Sequence, residues 1–287
     1  MRPSAQSRHL PRTTNFLPPS GLHPAVRRFP ADYLSRTRTG MWDDSREALS
    51  DLDLGDCERV LDVGCGTGEL TRVLREESPG TVVGLDADAD LLRSVPDPTV
   101  RGDVTRLPAA ADTFDLVVCQ ALLINLPDPV AAVRELARVA RERVAAIEPN
   151  NGAVTVESTV DSEPPLARRA RQFFLDGVRT DVTLGADAGG AFERAGLDVV
   201  STSRYDQHLT VEPPYDGAAV RDAREKATGE GLAADRETIL DGDTTPEQYD
   251  ALRERWREMG RTVVDQMAEE TYERRETVPF FVTVGTV

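Results

Sequence analysis

The sequence predicts an α/β fold: a doubly wound sheet of seven strands, mostly parallel, with helices on both faces. Two observations lead to this prediction. Short apolar runs alternate along the chain with segments of helical periodicity, which is typical of a parallel sheet built from strand–helix–strand units. The first of these runs also passes through a glycine-rich turn into a helix, a common ligand-binding arrangement in such sheets.

The glycine-rich turn follows the apolar run at 60–63, which contains Asp62, and reads Gly64-Cys65-Gly66-Thr67-Gly68. Glycine tolerates positive φ and has no Cβ, so the backbone of such a turn can pass close beneath a ligand. A dinucleotide-binding turn places its last small residue where Glu69 stands here. The spacing therefore disfavours an NAD-type turn.

Three further apolar runs end in polar residues. The second, at 81–86, ends in Asp86, and a carboxylate there can accept hydrogen bonds from both ribose hydroxyls of a nucleoside. Taken alone, Asp86 is equally well explained as a solvated turn residue or helix N-cap. The third run contains Asp103, and the fourth ends in Gln120 before a loop at 121–129.

In this order, the four segments resemble class I S-adenosylmethionine (SAM)-dependent methyltransferases, specifically the small-molecule group called type 11, over about residues 56–150. The resemblance implies a Rossmann-like fold with an antiparallel seventh strand, SAM as cofactor and methyltransferase activity (EC 2.1.1.-). It places the glycines beneath the methionine part of SAM, Asp103 at the adenine amino group and the backbone of the next residue along the adenine ring. The implied cofactor-binding residues are Asp62, Gly64, Gly66, Gly68, Asp86, Ala87, Asp103, Val104 and Gln120.

Periodicity places the remaining elements of the sheet and its helices. Apolar spacing predicts helices at 69–77, 129–140 and 186–195. The remaining strands are expected at 143–149, 197–205 and 277–287.

The segments outside this core predict the domain organisation. Residues 1–24 are rich in proline and lack apolar periodicity, so we expect a disordered tail. Residues 25–54 are expected to form an N-terminal helical cap. Residues 55–287 would then form the methyltransferase domain, with helical lid insertions at 150–186 and 211–276.

Several residues are candidates for the acceptor site or its lid. Tyr33 and Trp42 in the cap could wall the methyl site or pack on the sheet edge, and Phe173 lies on a helix expected at 166–178. Beside the expected methyl group, Asn125 and Glu148 join Gln120 as possible general bases. More distant possibilities are Tyr205 and His208. No spacing compels a catalytic assignment, so the catalytic residues stay unassigned.

The charge of the chain is unusually acidic. Fifty Asp and Glu residues oppose 34 Lys and Arg residues, of which only Lys226 is lysine, and the net charge is −16. This composition resembles proteins of salt-loving archaea, so we expect a halophilic source. A nucleic-acid partner is disfavoured because phosphate binding needs a basic face. We expect a small-molecule substrate. The sequence does not indicate the oligomeric state.

The three cysteines and three histidines argue against a metal site, because they show no C-x-x-C pair and no ligand spacing. No apolar stretch approaches the roughly 18 residues of a membrane helix. With no signal-peptide pattern, we expect a cytoplasmic protein without a membrane partner.

Three functions remain open from the sequence. The favoured one is a SAM-dependent methyltransferase acting on an unidentified small molecule. The alternative is a methyltransferase-fold SAM-binding protein that acts on RNA or as a regulatory partner. A lesser alternative is an NAD(P)-dependent oxidoreductase, against which Glu69 weighs.

Overall fold

The structure is a computed structural model that describes residues 31–38, 40–43 and 45–287, apart from the side chains of residues 32, 33, 35 and 36. The predicted tail at 1–24 lies outside the described residues. So does the side chain of Tyr33.

Eight strands form one sheet across the described chain. They are β1 (Arg59–Val63), β2 (Thr81–Asp86), β3 (Thr99–Arg101), β4 (Phe114–Gln120), β5 (Ala140–Pro149), β6 (Thr155–Ser158), β7 (Asp198–Val211) and β8 (Arg274–Thr286). Neighbours follow the order β3-β2-β1-β4-β5-β8, and β7 covers the other edge of β8. Strands β1 to β5 pair in parallel, whereas β8 runs antiparallel to its neighbours. The predicted mostly parallel α/β fold is confirmed.

The sequence predicted seven strands, and the described sheet has eight. The additional strand, β6, lies inside the insertion at 150–186 that was expected to be helical. Residues 280–286 of β8 pair with β5, and residues 274–277 of β8 pair with β6 on the same edge. Because β8 extends past the end of β5, it leaves an open edge, and the four-residue β6 fills it. A four-residue strand is too short to show a period of its own.

The helices connect the strands and build the insertions. They are α1 (Ala31–Arg38), α2 (Glu69–Glu77), α3 (Ala89–Leu92), α4 (Pro129–Val139), α5 (Glu163–Gly177), α6 (Ala188–Ala195), α7 (Gly217–Thr228), α8 (Glu230–Ala234), α9 (Arg236–Asp241) and α10 (Pro246–Ala268). The Asp128 side chain accepts a hydrogen bond from Ala131 N and so begins α4. Gly196, at φ 99°, ends α6.

Both faces of the sheet are covered, as the alternation along β4 shows. Val117 and Cys119 pack toward the cluster that includes α4 and α6. Leu116 and Val118 pack on the opposite face with α2 and with Trp42 of the N-terminal cap. This alternation is what the period-two direction of strand side chains requires.

The insertions form a third hydrophobic cluster of their own. It contains residues of α5, α7, α8, α9 and α10, together with Tyr272 just before β8. Buried on α10 are Tyr249, Leu252, Met259 and Val263. None of the described helices has the length and apolar character needed to cross a membrane.

A buried ionic network joins the third cluster to the sheet. Lys226 Nζ on α7 lies 2.5 Å from Glu163 Oε1 on α5 and donates to the Tyr272 hydroxyl at 3.1 Å. Glu163 Oε2 accepts from Ser158 Oγ on β6 at 2.7 Å. Arg274 Nε on β8 lies 3.2 Å from Glu163 Oε1. The network therefore fixes two insertion helices against the end of the sheet.

Candidate functional site

The carboxyl ends of β1, β2 and β4 lie side by side at one edge of the sheet. Val63, the last residue of β1, pairs with Leu85 on one side and Cys119 on the other. Parallel pairing therefore brings the glycine turn, Asp86 and Gln120 to the same edge. A ligand-binding crevice of an open α/β sheet lies at this edge.

The glycine turn requires glycine because of its backbone geometry. Gly66 has φ 56° and Gly68 has φ 86°, both in the left-handed region that L side chains rarely adopt. A Cβ on Gly66 would stand 3.0 Å from Leu34 Cδ1 of α1, and one on Gly68 would stand 3.0 Å from Val95. At Gly64, a Cβ would stand 3.1 Å from Leu122 Cδ1. Side chains of the cap (Leu34) and of the loop after β4 (Leu122) therefore lie directly against the backbone of the turn.

Asp86 ties the end of β2 to the glycine turn. Its Oδ2 accepts a hydrogen bond from Gly66 N at 2.9 Å, and its Oδ1 accepts from Asp88 N at 2.8 Å. Burial raises the pKa of the Asp86 carboxyl, while these backbone donors lower it. The next residue, Ala87, is exposed, and its carbonyl accepts from Arg101 Nε at 3.2 Å. Each carboxylate oxygen keeps a lone pair for a further donor.

Asp62 lies behind the turn and supports it. The side chain is buried, and its Oδ2 accepts from Thr71 Oγ1 of α2 at 2.6 Å. Burial raises the pKa of Asp62 to about 7. This contact joins β1 to the helix that follows the glycine turn.

Asp103 and Val104 lie just past the short strand β3. Asp103 Oδ1 accepts from both Thr105 N and Thr105 Oγ1 at 2.8 Å, which fixes a local turn. The Val104 side chain is buried in the cluster on the α4 face. At the end of β4, Gln120 Nε2 lies 2.9 Å from Met41 Sδ of the cap.

Glu148 holds the loop that follows β4. The carboxylate is fully buried and accepts from the backbone N–H groups of Leu122 at 3.1 Å, Leu123 at 2.9 Å and Ile124 at 3.3 Å. Burial raises the pKa of Glu148 to about 7, although the three N–H donors act in the opposite direction. These contacts describe a positioning residue. The sequence signal for it was an acid ending the apolar run of β5.

Asn125 leaves a buried acceptor unused in the same loop. Its Nδ2 donates to Ala121 O at 2.8 Å. Its Oδ1 is buried with no hydrogen-bond partner among the described residues. An orphaned acceptor of this kind is suited to a ligand donor.

Residues of the cap lie over the site, and only some of them could be predicted from the sequence. Trp42 is fully buried, and its ring centre lies 5.1 Å from that of Tyr205 on β7. Two contacts were missed: Leu34 rests on Gly66, and the Arg38 guanidinium lies 5.4 Å from the ring centre of Phe280. Neither has a signal in the sequence, because each joins segments far apart in the chain.

Other candidates lie away from this edge of the sheet or are engaged elsewhere. Phe173 packs in the third cluster, under the Arg169 guanidinium at 4.2 Å. His208 Nδ1 lies 3.0 Å from Thr277 Oγ1 across β7 and β8. The structure does not bring Phe173 to the glycine turn.

The described residues contain no group of three or more His, Cys, Asp or Glu able to hold a metal ion. Cys57, Cys65 and Cys119 are free and buried. Burial raises the pKa of Cys65 and of Cys119, which disfavours the thiolate that would bind a metal.

Comparison with known proteins assigns the core of this site to a class. Residues 61–147 match the family described as "Methyltransferase domain". The matched range begins in β1, contains the glycine turn, Asp86, Asp103 and Gln120, and ends one residue before Glu148. The match supports SAM as the cofactor of this segment.

Curated relatives match part of the chain. A demethylmenaquinone methyltransferase of Lactiplantibacillus plantarum is 31% identical over 146 residues, which cover 46% of this chain and 58% of the relative. Another from Mycobacterium sp. (strain KMS) is 39% identical over 99 residues, covering 33% of this chain and 43% of the relative. The chain therefore spans about half the length of the curated relatives it matches.

Solved structures are similar at lower identity. One is a chain from the complex between the Haloferax volcanii Trm112 methyltransferase activator and the putative methyltransferase. It has a TM-score of 0.49 and 19% identity, covering 89% of this chain and 92% of that chain. Another is a putative methyltransferase of Bacillus halodurans, with a TM-score of 0.48 and 14% identity, covering 84% of this chain and 98% of that one.

Proposed function

We propose that this protein transfers a methyl group from SAM to a small-molecule acceptor. The proposal rests on where the residues of the family match lie in the fold. The glycine turn, Asp86 and Gln120 all lie within the methyltransferase-domain match, and the parallel strands gather them at one edge of the sheet. The proposal extends from the matched segment to the whole chain.

The proposed cofactor contacts follow the geometry of the strand ends. The glycine turn, whose residues have no Cβ, would lie beneath the methionine part of SAM. Asp86 would accept from the ribose hydroxyls with its remaining lone pairs. Asp103 and the backbone of Val104 would contact the adenine. Asn125 Oδ1 supplies one further unused acceptor.

SAM supplies an already activated methyl group on a sulfonium, so the main task of the protein is to position the acceptor and exclude water. Such positioning can lower a barrier by about 7–11 kcal/mol without a dedicated side chain. Glu148 serves this task by holding the loop after β4 through three backbone contacts. Gln120 serves it by joining the end of β4 to the cap. No residue is assigned as a general base.

The names of the relatives suggest the first acceptor to test. Both curated relatives described above are named demethylmenaquinone methyltransferase. A demethylated quinol is therefore the first compound to offer the protein. The halophilic source and the cytoplasmic location stay predictions from the sequence.

The proposal is tested with methyl-labelled SAM. The purified protein is incubated with labelled SAM and demethylmenaquinol, and in parallel with a metabolite extract of its source organism, and labelled products are separated and identified. We expect one labelled small molecule, formed much more slowly at limiting SAM by Asp86→Asn and at an unchanged rate by Asp90→Asn, which changes an exposed acid four residues away. Binding of SAM with no labelled product in either reaction would contradict the proposal and favour a regulatory protein.

A further inference from the structure

Two neighbouring aromatic side chains each bury a polar atom that the fold leaves unpaired. Trp42 Nε1 and the Tyr205 hydroxyl are buried and have no hydrogen-bond partner among the residues that the structure describes. Their ring centres lie 5.1 Å apart, at an angle of 40° between the planes. Leaving such a group unpaired costs about 1–3 kcal/mol. Two unpaired groups in contact therefore require an explanation beyond packing.

The pair lies beside the ends of β4 and β5. Met41, next to Trp42 in the chain, contacts Gln120 at the end of β4. Tyr205 stacks on Phe280 with ring centres 5.5 Å apart, and Phe280 pairs with Pro149 at the end of β5. The unpaired atoms therefore lie next to the edge of the sheet that carries the proposed methyl-transfer site.

The chemistry of the pair defines what it can bind. The indole N–H is a donor only, so its partner must carry a lone pair. The rings of Trp42, Tyr205 and Phe280 pack on one another, and an opening between them would be bounded by flat apolar faces, which favour a planar ring. The Arg38 guanidinium over Phe280 adds positive charge, and it lowers the pKa of Tyr205 against the much larger effect of burial. A neutral ring oxygen with free lone pairs suits this environment, because burial there disfavours negative charge on a ring oxygen.

We propose that Trp42 and Tyr205 form the acceptor subsite and bind an oxygen substituent of a planar aromatic acceptor of the phenol or quinol class. This inference rests on the proposed function and specifies its substrate class. Because Trp42 is fully buried, the acceptor reaches the pair when the segment at 40–43 moves. Hydrogen bonds from Gln120 to Met41 and from Gly40 N to Glu69 Oε1 hold that segment.

The test compares Tyr205→Phe and Trp42→Phe with a matched control, Tyr215→Phe. The Tyr215 hydroxyl donates to Tyr272 O at 2.9 Å in the third cluster, so its loss removes a hydrogen bond that is made. Each protein is saturated with S-adenosylhomocysteine (SAH), and binding of 1-naphthol and of oxygen-free 1-methylnaphthalene is measured by equilibrium dialysis. Melting temperatures are recorded without ligand.

We expect the wild type to prefer 1-naphthol, and Tyr205→Phe and Trp42→Phe to lose about tenfold in 1-naphthol affinity. SAH affinity should not fall in these two variants, and the melting temperature should not fall in Tyr205→Phe, because no hydrogen bond within the protein is lost. Trp42→Phe also removes buried ring volume, so its melting temperature should fall. Tyr215→Phe should melt earlier and keep its 1-naphthol affinity. If both site variants bind 1-naphthol like the wild type while SAH still binds, this inference is overturned and the proposed function stands. If the wild type does not bind SAH, both are overturned.

Discussion

Asp86 combines a structural contact and a proposed cofactor contact in one carboxylate. One oxygen orients Gly66 N and the other accepts from Asp88 N, and each keeps a lone pair for a ribose hydroxyl. The residue therefore sets the shape of the turn and would also bind what lies above it.

Replacing Asp86 by Asn should weaken SAH binding by about 1–3 kcal/mol, because a charged hydrogen-bond acceptor is lost. Asn keeps only one acceptor oxygen, so one of the backbone contacts with Gly66 N and Asp88 N is lost together with the charge. Titration calorimetry of the variant beside Asp90→Asn measures the loss. Equal affinity in the two variants would contradict the proposed position of the ribose.

Glu148 should make stability depend on pH in an unusual direction. Its pKa in the folded protein is raised to about 7 from an ordinary 4.5, so the unfolded chain loses this proton first as pH rises. Stability contributed by the group is therefore greatest below pH 4.5, falls between pH 4.5 and about 7, and then stays constant. Asp62, whose pKa is also raised to about 7, acts in the same direction.

Glu148→Gln removes this titration and isolates the effect. We expect its free energy of unfolding, relative to the wild type, to rise by about 2–3 kcal/mol between pH 5 and pH 8. Denaturant unfolding at both pH values measures the change. Glu142→Gln, on an exposed position of the same strand, is the control and should show little change. A relative stability that does not rise with pH would show that Glu148 is already ionised in the fold at pH 5.

At the residue scale, site residues whose role depends on local chemistry could be predicted from the sequence. Glycines 64, 66 and 68 were predicted because a tight turn before a helix leaves a pattern in the chain, and Asp86 because it ends an apolar run. The three backbone contacts of Glu148, the contact of Leu34 with Gly66 and the unpaired Asn125 Oδ1 were not predicted. They depend on how distant segments meet.

At the scale of elements, the turn between β1 and α2 should not tolerate a side chain. Gly68→Ala places a Cβ 3.0 Å from Val95 at φ 86°, where L residues are strained by about 1–2 kcal/mol. We expect a lower melting temperature and at least about tenfold weaker SAH binding.

Gly55→Ala is the matched control for this turn. Gly55 has no neighbouring atom within 4 Å of an added Cβ, and its substitution should leave SAH binding unchanged. Calorimetry and thermal unfolding of both variants distinguish the outcomes. Wild-type affinity in Gly68→Ala would show that the turn does not approach the cofactor.

The ionic network that anchors α5 and α7 gives a second prediction at this scale. Glu163 is 1% exposed, and burial acts to raise its pKa. Lys226, Ser158 and Arg274 together outweigh burial and lower that pKa. Lys226→Met leaves a buried carboxylate without its nearest cation, and we expect a loss of about 3 kcal/mol in unfolding free energy.

A solvent-exposed ion pair is the control for Lys226→Met. Arg179 pairs with Asp241 while its side chain is 84% exposed, and Arg179→Ala should cost under about 1 kcal/mol. Denaturant unfolding of both variants measures the difference. Equal losses would mean that the buried network adds nothing to the attachment of the insertion helices.

Helices and strands with a clear hydrophobic period were predicted well. The short strand β6 and the extension of β7 were not. The helix expected at 186–195 is observed as Ala188–Ala195, and the sixth predicted strand extends to Val211 as β7. Strand β6 was missed because four residues carry no period and because its pairing depends on the length of β8. Tertiary pairing decides such elements.

For the whole molecule, the net charge of −16 should set the response to salt. Repulsion among carboxylates destabilises the compact state, and molar KCl screens it over a few ångströms. We expect the melting temperature to rise from dilute buffer to molar KCl, and to rise less in sucrose of equal osmolality. An unchanged melting temperature in KCl would contradict this account of the acidic composition.

The proposed methyltransferase function requires that the ends of β1, β2 and β3 together bind the adenosyl part of SAM. Calorimetric titration of the purified protein with SAH, and separately with NADH, tests this most directly. We predict one SAH bound per chain and no binding of NADH. Binding of NADH in place of SAH would contradict the assignment and show that the glycine turn binds a dinucleotide.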